Sequence, residues 1–243
     1  MFPGRHDNLS SPIWLLPPRA DAAMRALIFD LDGTLVDTVY AHVFAWQRAF
    51  VEAGLAIDGW RIHRRIGMSG GLFVRAAARE LGHGIDMAAA EALQQRHGEL
   101  FREFLPERRP LPGAVELLKD LRDRNIAYGV ATSGRRPEID RSLEVLGIGE
   151  GVVVVERGDV PRAKPEPDLF IACQQRLGLA PSECYVIGDA VWDQLAARRA
   201  GILSVGLLSG GYGESELLSA GAFRVYADPA ELLRSLDELG LQP

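Results

Sequence analysis

The sequence predicts an α/β fold: a mainly parallel sheet with helices on both faces, and an all-helical module inserted after the first strand. Three observations carry this expectation. The apolar run Ala26–Phe29 leads straight into Asp30, Leu31, Asp32, Gly33 and Thr34, the pattern of a buried strand that stops at a turn. Residues 39–105 show helical periodicity and no strong strand. From Gly113 onward extended and helical segments alternate, as parallel βα units do.

The elements follow in order. Residues 1–23 are rich in Pro, Ser and Gly and read as a loose tail, and the apolar run Ile13–Leu16 is too short for a signal segment. Met24 directly precedes the first strand and is a candidate start. Val39–Ala53 then has helical spacing, with Val43, Trp46, Phe50 and Val51 on one stripe; Leu72–Leu81 and Ala88–Leu105 are two further helices, and Gly67–Gly71 is a Gly-rich turn. Pro106, Pro110 and Pro112 mark the return from the insert. Helices are expected at Ala114–Arg124, Arg136–Leu146, Pro167–Leu177 and Val191–Ala200, and strands at Ile126–Ala131, Val152–Val155, Tyr185–Ile187 and Leu203–Gly206. The expected organisation is thus a tail at 1–23, a core built from 24–38 and 111–243, and a helical insert at 39–110.

Composition narrows the function classes. The chain has 243 residues, 47% of them apolar, and a formal charge of −6, with no basic patch of the kind that holds nucleic acid. No stretch approaches the ~18 consecutive apolar residues of a membrane span. Cys173 and Cys184 lie far from any metal-ligand spacing and read as free, buried thiols of a cytoplasmic protein. Only Lys119 and Lys164 are lysines among 27 basic residues, so each lysine is informative.

Four motifs fall where strands should end, the edge at which α/β sheets place ligands. Asp30 and Asp32 set two like charges side by side, which is costly unless a cation or a reaction uses them. Gly33 permits an unusual backbone turn and Thr34 offers a hydroxyl and an amide to an anion. Thr132, Ser133 and Gly134 follow the second core strand, where hydroxyls and backbone amides suit phosphate oxygens; a plain helix cap is the alternative. Lys164 stands in Arg162-Ala163-Lys164-Pro165-Glu166-Pro167, an ammonium in a loop stiffened by two prolines. Asp189 and Asp193, four apart in a Gly-Asp-x-x-x-Asp string, meet on one side of a helix's first turn. Carboxylates gathered at a phosphate point to a hard divalent cation with oxygen ligands, Mg2+.

These four motifs, in register over residues 24–243, resemble the phosphatase-type members of the haloacid dehalogenase superfamily. The resemblance implies a Rossmann-like three-layer core with a helical cap inserted after the first strand. It further implies that Asp30 is the nucleophile that forms an aspartyl-phosphate and that Asp32 protonates the leaving alcohol and then activates water. Thr132 and Lys164 would complete the catalytic set, with Gly33, Thr34, Ser133 and Gly134 around the phosphate. The metal is implied to lie on the Asp30 side chain, the Asp32 backbone carbonyl and Asp189, supported by Asp193. Expected partners are a small phosphorylated metabolite and at most a second copy (monomer or homodimer), with no nucleic acid or membrane.

The insert is where substrate choice is expected, through His42, Arg64, Arg65 and Ser69. Arg65 is the expected carboxylate clamp, as a phosphoglycolate phosphatase would need. Asp37, His42 and Trp46 stand at the offsets found in β-phosphoglucomutase-like enzymes. Where those mutases have a lysine and an arginine for a second phosphate, this sequence has Ile66 and Gly70. Residues 39–110 contain no lysine for the Schiff base of a phosphonoacetaldehyde hydrolase. A phosphomonoesterase is the leading expectation; a phosphosugar mutase and a non-catalytic phosphate-binding module are the alternatives.

Overall fold

A computed structural model describes residues 25–241; the expected tail at 1–23 lies outside the described residues. Strands β1 (Ala26–Phe29), β2 (Ala127–Ala131), β3 (Val153–Val155), β4 (Cys184–Gly188), β5 (Leu203–Leu207) and β6 (Arg224–Tyr226) form one six-stranded sheet in the order β3-β2-β1-β4-β5-β6. Every pairing is parallel, with Phe29 of β1 level with Val130 of β2 and Ile187 of β4. The chain leaves β1 to one side for β2 and β3, then crosses over to β4 on the other. Loops therefore diverge at the carboxyl ends of β1 and β4 and open a crevice there.

Strand alternation explains the layers. Leu27 and Phe29 face a cluster with Leu117 and Leu121 of α5 (Ala114–Asp123), Leu143 of α6 (Asp140–Val145) and Leu232 of α10 (Pro229–Arg234). Ala26 and Ile28 face the opposite cluster, with Phe170 and Cys173 of α7 (Asp168–Leu177) and Ala196 and Ala197 of α8 (Val191–Ala200). Burying a side chain such as Phe29 or Phe170 contributes roughly 1.5–3 kcal/mol. Cys173 and Cys184 are free and buried on this second face, and burial pushes their thiols up to about 12 and about 11, which keeps them unreactive.

Between β1 and α5 lie α1 (Val39–Glu52), α2 (Gly59–His63), α3 (Gly70–Glu80) and α4 (Met87–Phe104). They close around an apolar cluster of their own, with Val43, Trp46, Phe50, Phe73, Leu93 and Phe101. The outgoing and returning segments are stitched at the root by Asp37 N donating to Arg109 O (2.9 Å) and Leu111 N donating to Leu35 O (2.9 Å). Among the described residues no helix is long and apolar enough to cross a membrane.

Several expectations need correction. Val51 is exposed rather than part of the buried α1 stripe, because the apolar face turns through Ala45, Trp46 and Ala49 instead. The helix expected from Arg136 begins only at Asp140: Arg136 precedes a proline, which disfavours helical backbone, and its N–H donates to Glu156 Oε2 (3.2 Å). Helix α2, α9 (Glu214–Ala220), α10 and the edge strand β6 are additional elements, each too short to show a period in sequence.

Candidate active site

The ends of β1, β2 and β4 converge on one buried group of side chains. Asp30 follows β1 directly, and its N–H donates to Ile187 O (2.8 Å), which fixes the start of the turn against β4. Its Oδ1 accepts from Lys164 Nζ, and the same ammonium stands 2.8 Å from Asp193 Oδ1. Lys164 is fully buried, with Phe170 beneath the charge at 5.0 Å from its ring centroid. Asp193 uses its other oxygen to accept from Ala190 N (2.9 Å), so one side chain caps α8 and also fixes the lysine. Asp189 accepts from Thr34 Oγ1 (2.7 Å).

Two glycines make the close approach possible. Gly33 has φ +85°, and a Cβ there would fall 2.5 Å from Asp189 Oδ2 and from Val39 Cγ2. A Cβ at Gly210 would overlap the Asp189 carboxylate outright. Ser209 holds this second loop in place through its Oγ, which donates to Gly33 O (2.6 Å).

Asp32, two residues beyond Asp30, has a different set of neighbours. Thr38 Oγ1 donates to its Oδ1 (2.7 Å), and His42 Nε2 lies 3.4 Å from the same oxygen. Behind His42 the helical insert supplies His97, whose Nε2 is 3.0 Å from His42 Nδ1. His42 stacks on Phe101 at 3.8 Å and His97 on Trp46 at 4.1 Å, so both imidazoles are fixed in an aromatic wall. Burial holds His97 well below its ordinary pKa, and His42 reinforces this. His97 is therefore a neutral partner.

The two aspartates titrate in opposite directions. Burial pushes Asp30 up to about 7; Lys164 opposes this, while Asp193 and Asp32 add to it. Burial also raises Asp32, but the hydrogen bond from His42, its charge and Thr38 outweigh it and leave Asp32 below the usual carboxylate range. Asp189 is lifted well above that range by burial, then by Asp193 and Asp30, against its bond from Thr34. Carboxylates with ionisation disfavoured by burial and by each other are what a bound cation relieves. Oxygens of Asp30, Asp189 and Asp193 all lie within 4.8 Å of one another, and the all-oxygen donor set fits a hard divalent ion. Asp32's side chain is not in this group. It faces Thr38 and His42, so any ligand from this residue must be its carbonyl.

The phosphate-side residues are also brought together. Thr132 is buried after β2, and its Oγ1 accepts from Gly134 N (3.0 Å), which leaves its own proton to donate. A Cβ on Gly134 would lie 3.8 Å from Asp32 Oδ2, so this loop borders Asp32. Ser133 Oγ donates to Gly67 O (3.1 Å) and Ser69 N donates to Lys164 O (3.1 Å), both across the boundary between insert and core.

Arg65 is not brought in. Its guanidinium pairs with Glu80 and donates to Arg61 O (2.7 Å) within the insert, because those acceptors lie on neighbouring helices of its own module. Arg64 pairs with Glu216 (2.7 Å), and its carbonyl accepts from Trp192 Nε1 (3.1 Å) and Tyr212 OH (2.9 Å). His63 Nε2 lies 2.8 Å from Gly210 O beside them. This contact latches the insert onto the core. Thr38, His97, Ser209, Gly210 and Trp192 were not singled out from sequence. Thr38, four residues beyond Thr34 of the first motif, and Trp192, inside the Gly-Asp-x-x-x-Asp string, are the two that the sequence could have pointed to.

The family model for haloacid dehalogenase-like hydrolases matches residues 24–201. The chain belongs to the haloacid dehalogenase-like hydrolases. It is 33% identical over 217 residues to the phosphoglycolate phosphatase of Rhodospirillum rubrum, covering 86% of this chain and 89% of that one. It is 30% identical to the beta-phosphoglucomutase of Bacillus subtilis over 77% of this chain and 84% of that one. Among solved structures, a hydrolase from Pseudomonas syringae is 46% identical with a TM-score of 0.86, over 88% of this chain and 99% of that one. As a haloacid dehalogenase-like hydrolase the chain has the Rossmann-like sheet expected of it.

Proposed function

We propose that this hydrolase cleaves a small phosphomonoester with Mg2+, through an aspartyl-phosphate on Asp30, and that residues 39–110 act as the cap that selects substrate. The observation that carries the reading is the split between the two aspartates: Asp30 pairs with a buried ammonium, and Asp32 with a hydroxyl and an imidazole. Carboxylates set in different environments take different roles.

In this reading the negative charge of bound substrate keeps a proton on Asp32 against the pull of His42 and Thr38, while Lys164 and the metal keep Asp30 ionised. An Asp30 oxygen attacks phosphorus and the bond to the leaving oxygen breaks as Asp32 gives that oxygen its proton. Asp32 then takes a proton from water as it attacks the phosphorus, which frees Asp30 and phosphate. Lys164 holds Asp30 in place and offsets charge growing on the phosphoryl oxygens, to which Thr132 and the amides after β2 donate. An Asp30 oxygen, Asp189 and the Asp32 carbonyl would hold magnesium, with Asp193 beside them fixing Lys164, and the ion would supply charge neutralisation at the phosphoryl group. The mutase alternative meets a buried Ile66 and a Gly70 pressed against Gln94 where a second phosphate would need cations.

The test is a panel of phosphorylated sugars and short acids assayed for phosphate release with magnesium, with chelator, and with Asp30→Asn. Turnover restored only by magnesium, and reduced about 1000-fold or more in Asp30→Asn, is the expected result. Release that persists in chelator or in the variant contradicts the mechanism.

A further inference from the structure

We propose that Arg108 is the specificity-determining cation of this site, and that it binds a second anionic group on the leaving portion of the substrate. The inference deepens the phosphomonoesterase reading and rests on Asp32 acting at the leaving oxygen.

Arg108 is only 7% exposed, yet it makes no ion pair among the described residues, and its Nε and Nη1 are buried without a hydrogen-bonding partner there. A buried charge left unpaired costs several kcal/mol, and buried guanidiniums are ordinarily held by carboxylates or carbonyls. Even the insert's more exposed arginines find such partners: Arg61, Arg64, Arg65, Arg96 and Arg102 all pair with Asp or Glu. Arg108 has instead the ring of Phe101, 4.4 Å from its guanidinium carbon. That ring also stacks on His42, which touches Asp32. Arg108 thus belongs to the wall beside the proposed acid and not to the phosphate end held by Lys164.

Its surroundings are short of negative charge. Burial is the largest influence on its charge and disfavours it; Asp32 offsets part of the cost and Arg141 adds to it. Arg141 is exposed, and its Nη1 donates to Pro106 O (2.8 Å), which places a second cation at the rim of the same wall. The backbone next to Arg108 is pinned by Asp37 N donating to Arg109 O (2.9 Å), so the guanidinium is carried on a fixed crossing between insert and core. Asp32 already has Thr38 and His42 as donors. A substrate anion supplies the missing partner. A neutral hydroxyl accepts a hydrogen bond but leaves the charge uncompensated. The fitting class is a phosphomonoester with an alcohol part that carries a carboxylate or a second phosphate.

Matched pairs read this directly. 2-Phosphoglycolate and 2-hydroxyethyl phosphate differ only by a carboxylate, and glucose 1,6-bisphosphate and glucose 1-phosphate by a second phosphate. In Arg108→Met the ratio of kcat/KM, acidic over neutral, should fall about tenfold or more for at least one pair. The pair that responds identifies the anion. Arg108→Lys, which keeps the charge but loses the planar fork, should fall in between and serves in place of Arg108→Met if that variant does not fold. Unchanged ratios in both pairs overturn the proposal, however slow the variant becomes. If the wild type turns over none of the four esters, the phosphomonoesterase reading has failed. Calorimetric binding of the same esters to Asp30→Asn, with and without Arg108→Met, then decides Arg108 alone: a preference for the acidic member that the second substitution removes supports it, and no preference overturns it.

Discussion

Lys164 and Asp193 form an ion pair of 2.8 Å in which neither side chain reaches solvent. Asp30 shares the same ammonium, so one buried cation holds two buried carboxylates. Lys164→Met removes the ammonium that balances them and should cost about 3–5 kcal/mol, read from urea unfolding at pH 7.5 without metal. The cost should shrink at pH 5, because Asp30, already pushed up to about 7, takes up a proton instead of remaining charged. An unchanged midpoint at both pH values contradicts the pairing.

Stability should depend on pH in a direction opposite to that of an ordinary salt-bridged aspartate. Asp30 rises from 3.8 to about 7 on folding, and Asp189 is raised well above 3.8, so each of these two carboxylates binds more proton in the folded chain than in the unfolded one. In metal-free protein these two carboxylates therefore withdraw stability as pH rises from about 4 through about 7, while His97, held neutral by burial, acts in the opposite direction below its ordinary pKa. Magnesium binds the deprotonated carboxylates, so its stabilising effect should be larger at pH 8 than at pH 5.5, with a Tm rise of about 5 °C or more at saturating metal. Thermal melts at the two pH values, with and without metal, check both signs. An equal rise at both would separate the metal from these carboxylates.

The latch between insert and core should appear in KM. Tyr212→Phe removes the hydroxyl that donates to Arg64 O (2.9 Å) and leaves Trp192 Nε1 as the remaining donor. A hydrogen bond of this kind is worth about 1 kcal/mol, so the insert's hold on the core weakens and KM should rise about fivefold with kcat less affected. Steady-state kinetics on any good substrate would show it, and an unchanged KM would remove Tyr212 from closure.

Arg65→Ala should do little to catalysis. Its guanidinium is committed to Glu80 and Arg61 O, and a pair of that exposure is worth about 0–1 kcal/mol. KM for acidic and neutral phosphomonoesters should stay within about twofold. A large, selective rise for acidic esters would restore the clamp role expected of Arg65 from sequence and count against Arg108.

How much of this was legible depends on how local each feature is. Asp30, Asp32, Thr132 and Asp189 follow closely on the ends of apolar strands and Lys164 stands between prolines in the loop after β3, so a short contiguous motif suffices for each, and the sheet brings them together. Asp193 was legible for the same reason, though its double role as cap and lysine partner was not. His97 and Arg108 carried no signal, because their meaning comes from the wall that Phe101 forms with His42, and His42 is remote in sequence and reaches them only when α1 and α4 pack together. Arg65 misled because a cationic pair beside a glycine turn reads the same whether it faces a cleft or Glu80 on the next helix. The short elements α2, α9 and β6 had no period to read, yet α2 and the loop before α9 supply the latch.

The proposed mechanism requires that Asp30 carry the phosphoryl group. The direct measurement is acid-quenched mass spectrometry of the enzyme in the first turnover with magnesium and a good substrate, with peptides mapped for a hydroxylamine-labile phosphoryl group. One such group is expected, on the peptide bearing Asp30 and absent from Asp30→Asn. Full turnover with no label on that peptide, or with label on another residue, would contradict it.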